Sequence, residues 1–118
     1  MTLKKKDRVK KADVEGMIRA SLEKIPGIRC AFIYGPFAER EAPQERDIEL
    51  MVIGGPDLEE MEEITSEVEN KIERSVHVYS FTLREIKERI GLKDRFIRKA
   101  LGASKIMLIG DLNDLPHR

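Results

Sequence analysis

Two carboxylates set two residues apart, Asp47 and Glu49, open the apolar stretch Asp47-Ile48-Glu49-Leu50-Met51-Val52-Ile53. In an extended strand alternate side chains share a face, so the two acids point one way and Ile48 points to a core. Two acids at one strand end suit a hard divalent cation such as Mg2+, which prefers oxygen ligands and leaves room for substrate phosphates. Such a cation can align an attacking oxygen and neutralise a triphosphate in phosphoryl transfer. Upstream, Phe32-Ile33-Tyr34-Gly35-Pro36-Phe37-Ala38 is an apolar run that ends in a glycine turn, and ten residues separate Pro36 from Asp47. Each of these residues also has a plain structural role open to it. Asp47 and Glu49 read equally as solvent-facing acids, Gly35 as a turn, and Pro36 as a rigid loop residue or the first residue of a helical turn.

The surrounding periodicity predicts the elements that must hold these residues. Val14, Met17, Ile18 and Leu22 form one helical face from about Ala12, ended by Pro26-Gly27. Ile28 to Tyr34 reads as a largely buried strand, Gly35 to Arg46 as a loop, and Asp47 to Ile53 as a second strand. The loop is too short for a crossover helix, so the two strands are expected to be antiparallel neighbours. Asp57 caps a helix along which Leu58, Met61, Ile64, Val68 and Ile72 keep helical spacing. Val76 to Phe81 is a third strand, with His77 and Tyr79 on one face and Val76 and Val78 on the other. Thr82 with Glu85 forms a capping-box pattern for a helix that stops at Gly91, and Asp94 caps another that closes at Gly102. Lys105 to Ile109 is the last strand. The order α-β-β-α-β-α-α-β implies an α/β or α+β fold, a layer of helices on a short mixed sheet.

The 118 residues suffice for one domain. Twenty-two basic and 22 acidic side chains cancel, which gives no general pull toward nucleic acid or anionic lipid. Residues 1–11 are basic, with Lys4, Lys5, Lys6, Arg8, Lys10 and Lys11, and read as a flexible lead-in for which nucleic-acid contact is a third-ranked function. Residues 112–118 read as a polar tail. Cys30 is the only cysteine, so neither an internal disulfide nor a cysteine zinc site is expected, and its apolar setting makes it a small buried hydrophobe. No apolar run approaches the ~20 residues of a membrane span. None follows the basic start as a secretory signal would require, so a cytoplasmic protein is the expectation.

The spacing of Gly35, Asp47 and Glu49, with Tyr34-Gly35, Phe37-Ala38, Asp47-Ile48, Leu50-Met51-Val52 and Lys105-Ile106 to Ile109-Gly110-Asp111 around them, resembles the minimal nucleotidyltransferases of the DNA-polymerase-β type, small prokaryotic members. The resemblance runs from about Ile28 to Asp111 and implies a nucleotidyltransferase-like domain over 12–111. It implies Asp47 and Glu49 as catalytic metal ligands, with Gly35, Pro36 and Arg40 at the nucleotide and Mg2+ as cofactor. The implied reaction moves a nucleoside monophosphate from an NTP to an acceptor hydroxyl. Four departures bear on it. Pro36 stands where the family has serine and supplies neither hydroxyl nor N–H. Glu49 replaces an aspartate, Glu39 stands where a base is usual, and His77 occupies the expected place of a third acid. Histidine binds metals but suits zinc, nickel or copper better than Mg2+. The resemblance therefore implies two alternatives. One is a weakly active transferase. The other is a non-catalytic binding or regulatory subunit that pairs with a helical HEPN-like protein in a toxin–antitoxin-like system.

Overall fold

The structure, a computed structural model, describes residues 10–39 and 46–115. Arg40 and most of the basic lead-in lie outside the described residues. Among the described residues, four strands form one mixed sheet: β1 (Ile28–Tyr34), β2 (Ile48–Gly54), β3 (Val76–Phe81) and β4 (Lys105–Ile109). Their order across the sheet is β3-β2-β1-β4. β1 runs antiparallel to both neighbours, and β2 and β3 run parallel. The helices are α1 (Lys11–Glu23), α2 (Leu58–Ile72), α3 (Leu83–Gly91) and α4 (Arg95–Gly102). The mixed sheet, the element order and the antiparallel β1–β2 pair agree with expectation.

The helices cover both faces, where the sequence reading placed a single layer. The reason lies in β1, whose residues from Cys30 to Tyr34 are all buried. A strand buried on both sides shows a continuous apolar run because alternate side chains enter two cores. Ala31 and Ile33 join Ile48, Leu50 and Val52 beneath Val14, Ile18 and Leu22 of α1 and Met61, Val68 and Ile72 of α2. Cys30, Phe32 and Tyr34 join Met51 and Ile53 beneath Ile86 of α3 and Ile97 and Ala100 of α4.

The helix starts follow local chemistry. The Asp57 carboxylate accepts from the N–H groups of Glu59 and Glu60 at 2.9 and 3.1 Å. Thr82 and Glu85 make both arms of the capping box. Asp94 accepts from the Ile97 N–H at 3.0 Å. These bonds satisfy donors that have no partner within the helix and fix where each helix leaves the sheet.

A second correction concerns the end of the chain. The described part of the supposed polar tail is a short 3-10 helix at Leu112–Asp114, followed by a buried Leu115. Leu112 and Leu115 are three residues apart, so in a tight helical turn they share a side, and both join the core under α3 and α4. No helix among the described residues is long and apolar enough to cross a membrane.

Candidate functional site

Three strand ends meet on the face covered by α3 and α4. Tyr34, the last residue of β1, lies opposite Glu49 in the antiparallel pair. His77 is the parallel neighbour of Glu49 on the other side. Asp47, immediately before β2, has the same parity as Glu49, so its side chain shares that face. The sequence therefore placed the two acids together correctly, and the parallel β2–β3 register adds the β3 side chains to them.

Each acid is engaged by β3. Asp47 Oδ2 lies 3.2 Å from His77 Nε2, an exposed contact with side chains 56% and 47% accessible. The Tyr79 hydroxyl donates to Glu49 Oε1 at 3.1 Å, in a half-buried setting. His77, expected as a metal ligand beside the acids, thus stands as a direct partner of Asp47. Among the described residues, no group of three or more His, Cys, Asp or Glu side chains is arranged to hold a metal ion.

The loop that follows β1 is shaped by Gly35 and Pro36. Gly35 has φ of 81°, and its N–H donates to the Ser104 carbonyl at 3.3 Å. A Cβ there would come to 3.7 Å from Cγ of Glu49, so the backbone passes close to the acid. Pro36 begins a short 3-10 helix, Pro36–Ala38. At that first position a missing N–H leaves no helical bond unmade. The Ala38 N–H closes the turn on the Gly35 carbonyl at 3.0 Å. The turn is therefore well formed, and the cost of proline falls on any ligand that would have used the absent donor.

Beside Glu49 opens a cavity of about 280 Å3 whose lining includes Tyr34, Gly35, Pro36, Tyr79, Phe96 and Lys99. Its aromatic wall is continuous. The Tyr79 and Phe96 ring centroids are 5.0 Å apart, and Tyr34 lies 6.2 Å from Tyr79 and 6.4 Å from Phe96. Lys99 sets a positive charge on the same cavity as Glu49. Lys105, opposite Tyr34 in the sheet, donates from Nζ to the Ala103 carbonyl at 2.8 Å. Burial pushes the Lys105 pKa down. Sequence reasoning did not single out Tyr34, Phe96, Lys99 or Lys105 as site residues. It had the signal for Tyr79, which shares a strand face with His77.

Burial raises the pKa of both tyrosines above the ordinary phenol value. For Tyr34 the Tyr79 phenol and the Glu49 charge add to burial, and for Tyr79 the Glu49 charge and its hydrogen bond do. The folded state thus holds these protons more tightly than the unfolded chain. Their contribution is intact below the unfolded tyrosine value of about 10 and is lost as pH rises through the raised folded values. Urea unfolding is expected to show stability falling above about pH 10. The variant Tyr34→Phe, Tyr79→Phe should lose less over that interval than the wild type, and equal losses would show that neither phenol is responsible.

No family model matches the sequence, and no curated protein matches it. Solved structures do match by shape. A toxin–antitoxin structure with AMP-PNP aligns over 85% of this chain and 76% of its own, at 16% identity and TM-score 0.55. The complex of the tri-AMPylated Shewanella oneidensis HEPN toxin with MNT antitoxin aligns over 89% and 76%, at 14% identity and TM-score 0.54. The toxin–antitoxin MntA-HepT aligns over 86% and 74%, at 16% identity and TM-score 0.50. At such identities the likeness is one of fold. The chain shares the fold of these structures, the minimal nucleotidyltransferase fold.

Proposed function

We propose that this chain is a partner-binding subunit of the antitoxin kind, cytoplasmic and without effective catalysis, that pairs with a helical HEPN-type protein. One observation carries the loss of catalysis: both carboxylates of the motif are engaged by β3 side chains, Asp47 by His77 and Glu49 by Tyr79. The fold neighbours support the pairing, since those structures are toxin–antitoxin complexes and one contains a HEPN toxin.

Mg2+ is the cofactor that the fold implies. Asp47 and Glu49 are the right chemical type for it, but the arrangement does not fit a ready site. Each acid commits one oxygen to a neighbouring side chain, and Mg2+ demands near-ideal octahedral geometry. At Pro36 the backbone offers no donor to a phosphate. Lys99 and the open cavity beside Glu49 favour a second reading, weak nucleotide binding with residual transfer of a nucleoside monophosphate to an acceptor hydroxyl and release of pyrophosphate.

Co-expression with the short helical HEPN-type proteins of the same genome separates the two readings. The expected result is a stable complex whose formation is indifferent to Asp47→Ala, with the partner's intact mass unchanged after incubation with ATP and Mg2+. Absence of a complex would sink the pairing. A partner mass increased by one or more nucleoside monophosphates, and restored by Asp47→Ala, would establish the enzyme reading instead.

A further inference from the structure

The two edges of the sheet are protected unequally. At β4 the Arg19 guanidinium donates to the carbonyls of Leu108 and Met107 at 3.3 and 3.1 Å, and the strand begins with Lys105. A charged side chain laid along an edge is a common guard against strand addition. Among the described residues, β3 has no cationic side chain laid along it, and Glu69 engages only its first residue. Its sequence Val76-His77-Val78-Tyr79-Ser80-Phe81 contains neither lysine nor proline, and its six residues hold an unbroken parallel register with β2.

The ladder fixes which backbone groups face outward. The Ile48 N–H donates to the Ser75 carbonyl at 2.9 Å, and Ile48 lies beside Val76. In a parallel ladder, residues bonded to the neighbour alternate with residues that turn away from it. Val76, Val78 and Ser80 therefore present their N–H and C=O groups to the open side. One of these groups has a local partner, the Val76 N–H, which donates to Glu69 Oε2 at 2.7 Å. The backbone of Val78 and Ser80 remains facing outward.

A groove of about 350 Å3 runs between this edge and α2. Leu58, Met61, Val76 and Val78 supply its apolar lining, and Glu62 and Glu69 belong to its rim. Leu58 is 67% exposed, although it opens the helix that covers the first core. The same helix carries Glu59, Glu60, Glu62, Glu63, Glu67 and Glu69 against a single Lys71.

We propose that the open edge of β3 is a docking site for an extended segment of a different protein, in which the side chains of one face, read at every second residue, are by turns apolar and Lys or Arg. Main-chain bonds to Val78 and Ser80 would hold the segment, and every second side chain would face α2. On that side an apolar residue meets Leu58 and a basic one meets the glutamate rim. Charge selects this occupant over a second copy of the chain. Edge-to-edge pairing of two copies would bring two acidic α2 helices together, whereas a basic segment is attracted. The site lies outside the carboxylate cluster and holds whether or not that cluster handles nucleotide.

The test uses the full chain and two short synthetic peptides, one a Val-Thr-Lys-Thr repeat, which sets Val and Lys on one face, the other with Glu in place of Lys. Backbone amide exchange is the readout. The lysine peptide is expected to slow exchange at Val78 and Ser80 while leaving the amides of β4 unchanged, and the glutamate peptide is expected to do nothing. Ser80→Pro should weaken the protection at Val78, because it removes one of the two outward donors and leaves the β2–β3 ladder intact. Glu62→Lys should weaken binding about fivefold, the scale of one lost exposed charge pair. Because Glu62 lies on an exposed helix surface, its variant decides the matter even if Ser80→Pro fails to fold. Equal protection by both peptides, or undiminished binding in Glu62→Lys, overturns the proposal. So does protection of the same amides by self-association without peptide. The peptides probe this edge alone, so their failure leaves pairing with a HEPN-type protein to be judged by its own experiment.

Discussion

In calorimetric titration with Mg2+, ATP is expected to bind a variant carrying Pro36→Ser, His77→Ala and Tyr79→Phe about a hundredfold more tightly than it binds the wild type. Three contributions add to that figure. The Tyr79 hydroxyl must release Glu49 before that carboxylate can reach a cation. A hydrogen bond to a charged group is worth about 1.5 kcal/mol at the low end, the appropriate end for a half-buried contact. The Asp47–His77 contact is about half exposed on both sides, so its release is worth roughly 0.5 kcal/mol. Serine at position 36 returns a backbone N–H and a hydroxyl, together about 1 kcal/mol. The sum is about 3 kcal/mol, two decades in affinity.

The single variants should rank accordingly. Tyr79→Phe should improve binding more than His77→Ala, since the half-buried bond is the stronger clamp. The gain in the triple variant should disappear when Asp47→Ala is added. Metal-dependent micromolar binding by the wild type, lost in Asp47→Ala, would show the acids already free to act and would remove the basis for a non-catalytic subunit. Failure of the triple variant to gain affinity would mean that the β3 clamps are not what limits the site.

Much of this arrangement was legible in the sequence because it depends on nearby residues. The three side-chain caps, at Asp57, Thr82 and Asp94, act on N–H groups two or three positions ahead. Asp47 and Glu49 share a face by strand period alone, and the short loop after Gly35 made β1 and β2 antiparallel neighbours. What escaped depends on contacts between distant segments. The engagement of Glu49 by Tyr79 spans 30 residues and exists only because β3 adds in parallel beside β2 in a particular register. The split of helices between two faces is encoded in the uninterrupted burial of Cys30 to Tyr34, but that run is equally what a single deeply buried strand of any sheet would show. Lys99 and Phe96 reach the cavity because α4 packs across the end of β1, and helical spacing by itself does not say which strand a helix will cover. The unequal edges were hidden for the same reason, since β3 is an edge only by virtue of the strand order.

The end of the sheet remote from the acids makes a different demand on the chain, and Gly54→Ala should expose it. Gly54 has φ of 144° and closes β2 opposite Ile28. A Cβ at this position would collide with the Gly27 carbonyl oxygen and crowd the Arg29 nitrogen at 2.8 Å. The neighbours cannot yield cheaply, because all of them are backbone and the Gly27 carbonyl already accepts from the Gly55 N–H at 2.9 Å. Strain of a forbidden backbone conformation and a main-chain clash together should cost about 3 kcal/mol or more. For a domain of this size that lowers the melting temperature by about 10 °C or more. The adjacent Gly55→Ala is the matched control. Its Cβ meets nothing within 4 Å, so the substitution should leave stability unchanged or slightly raised. Gly16→Ala, in the interior of α1 and equally open, should stabilise by about 0.5–1 kcal/mol. If Gly54→Ala melts within a degree or two of Gly55→Ala, then the β1–β2 closure at Gly27 and Gly54 is looser than the structure has it. The Tyr34–Glu49 register at the far end of the same strand pair would then lose its anchor, and with it the account of how the acids are held.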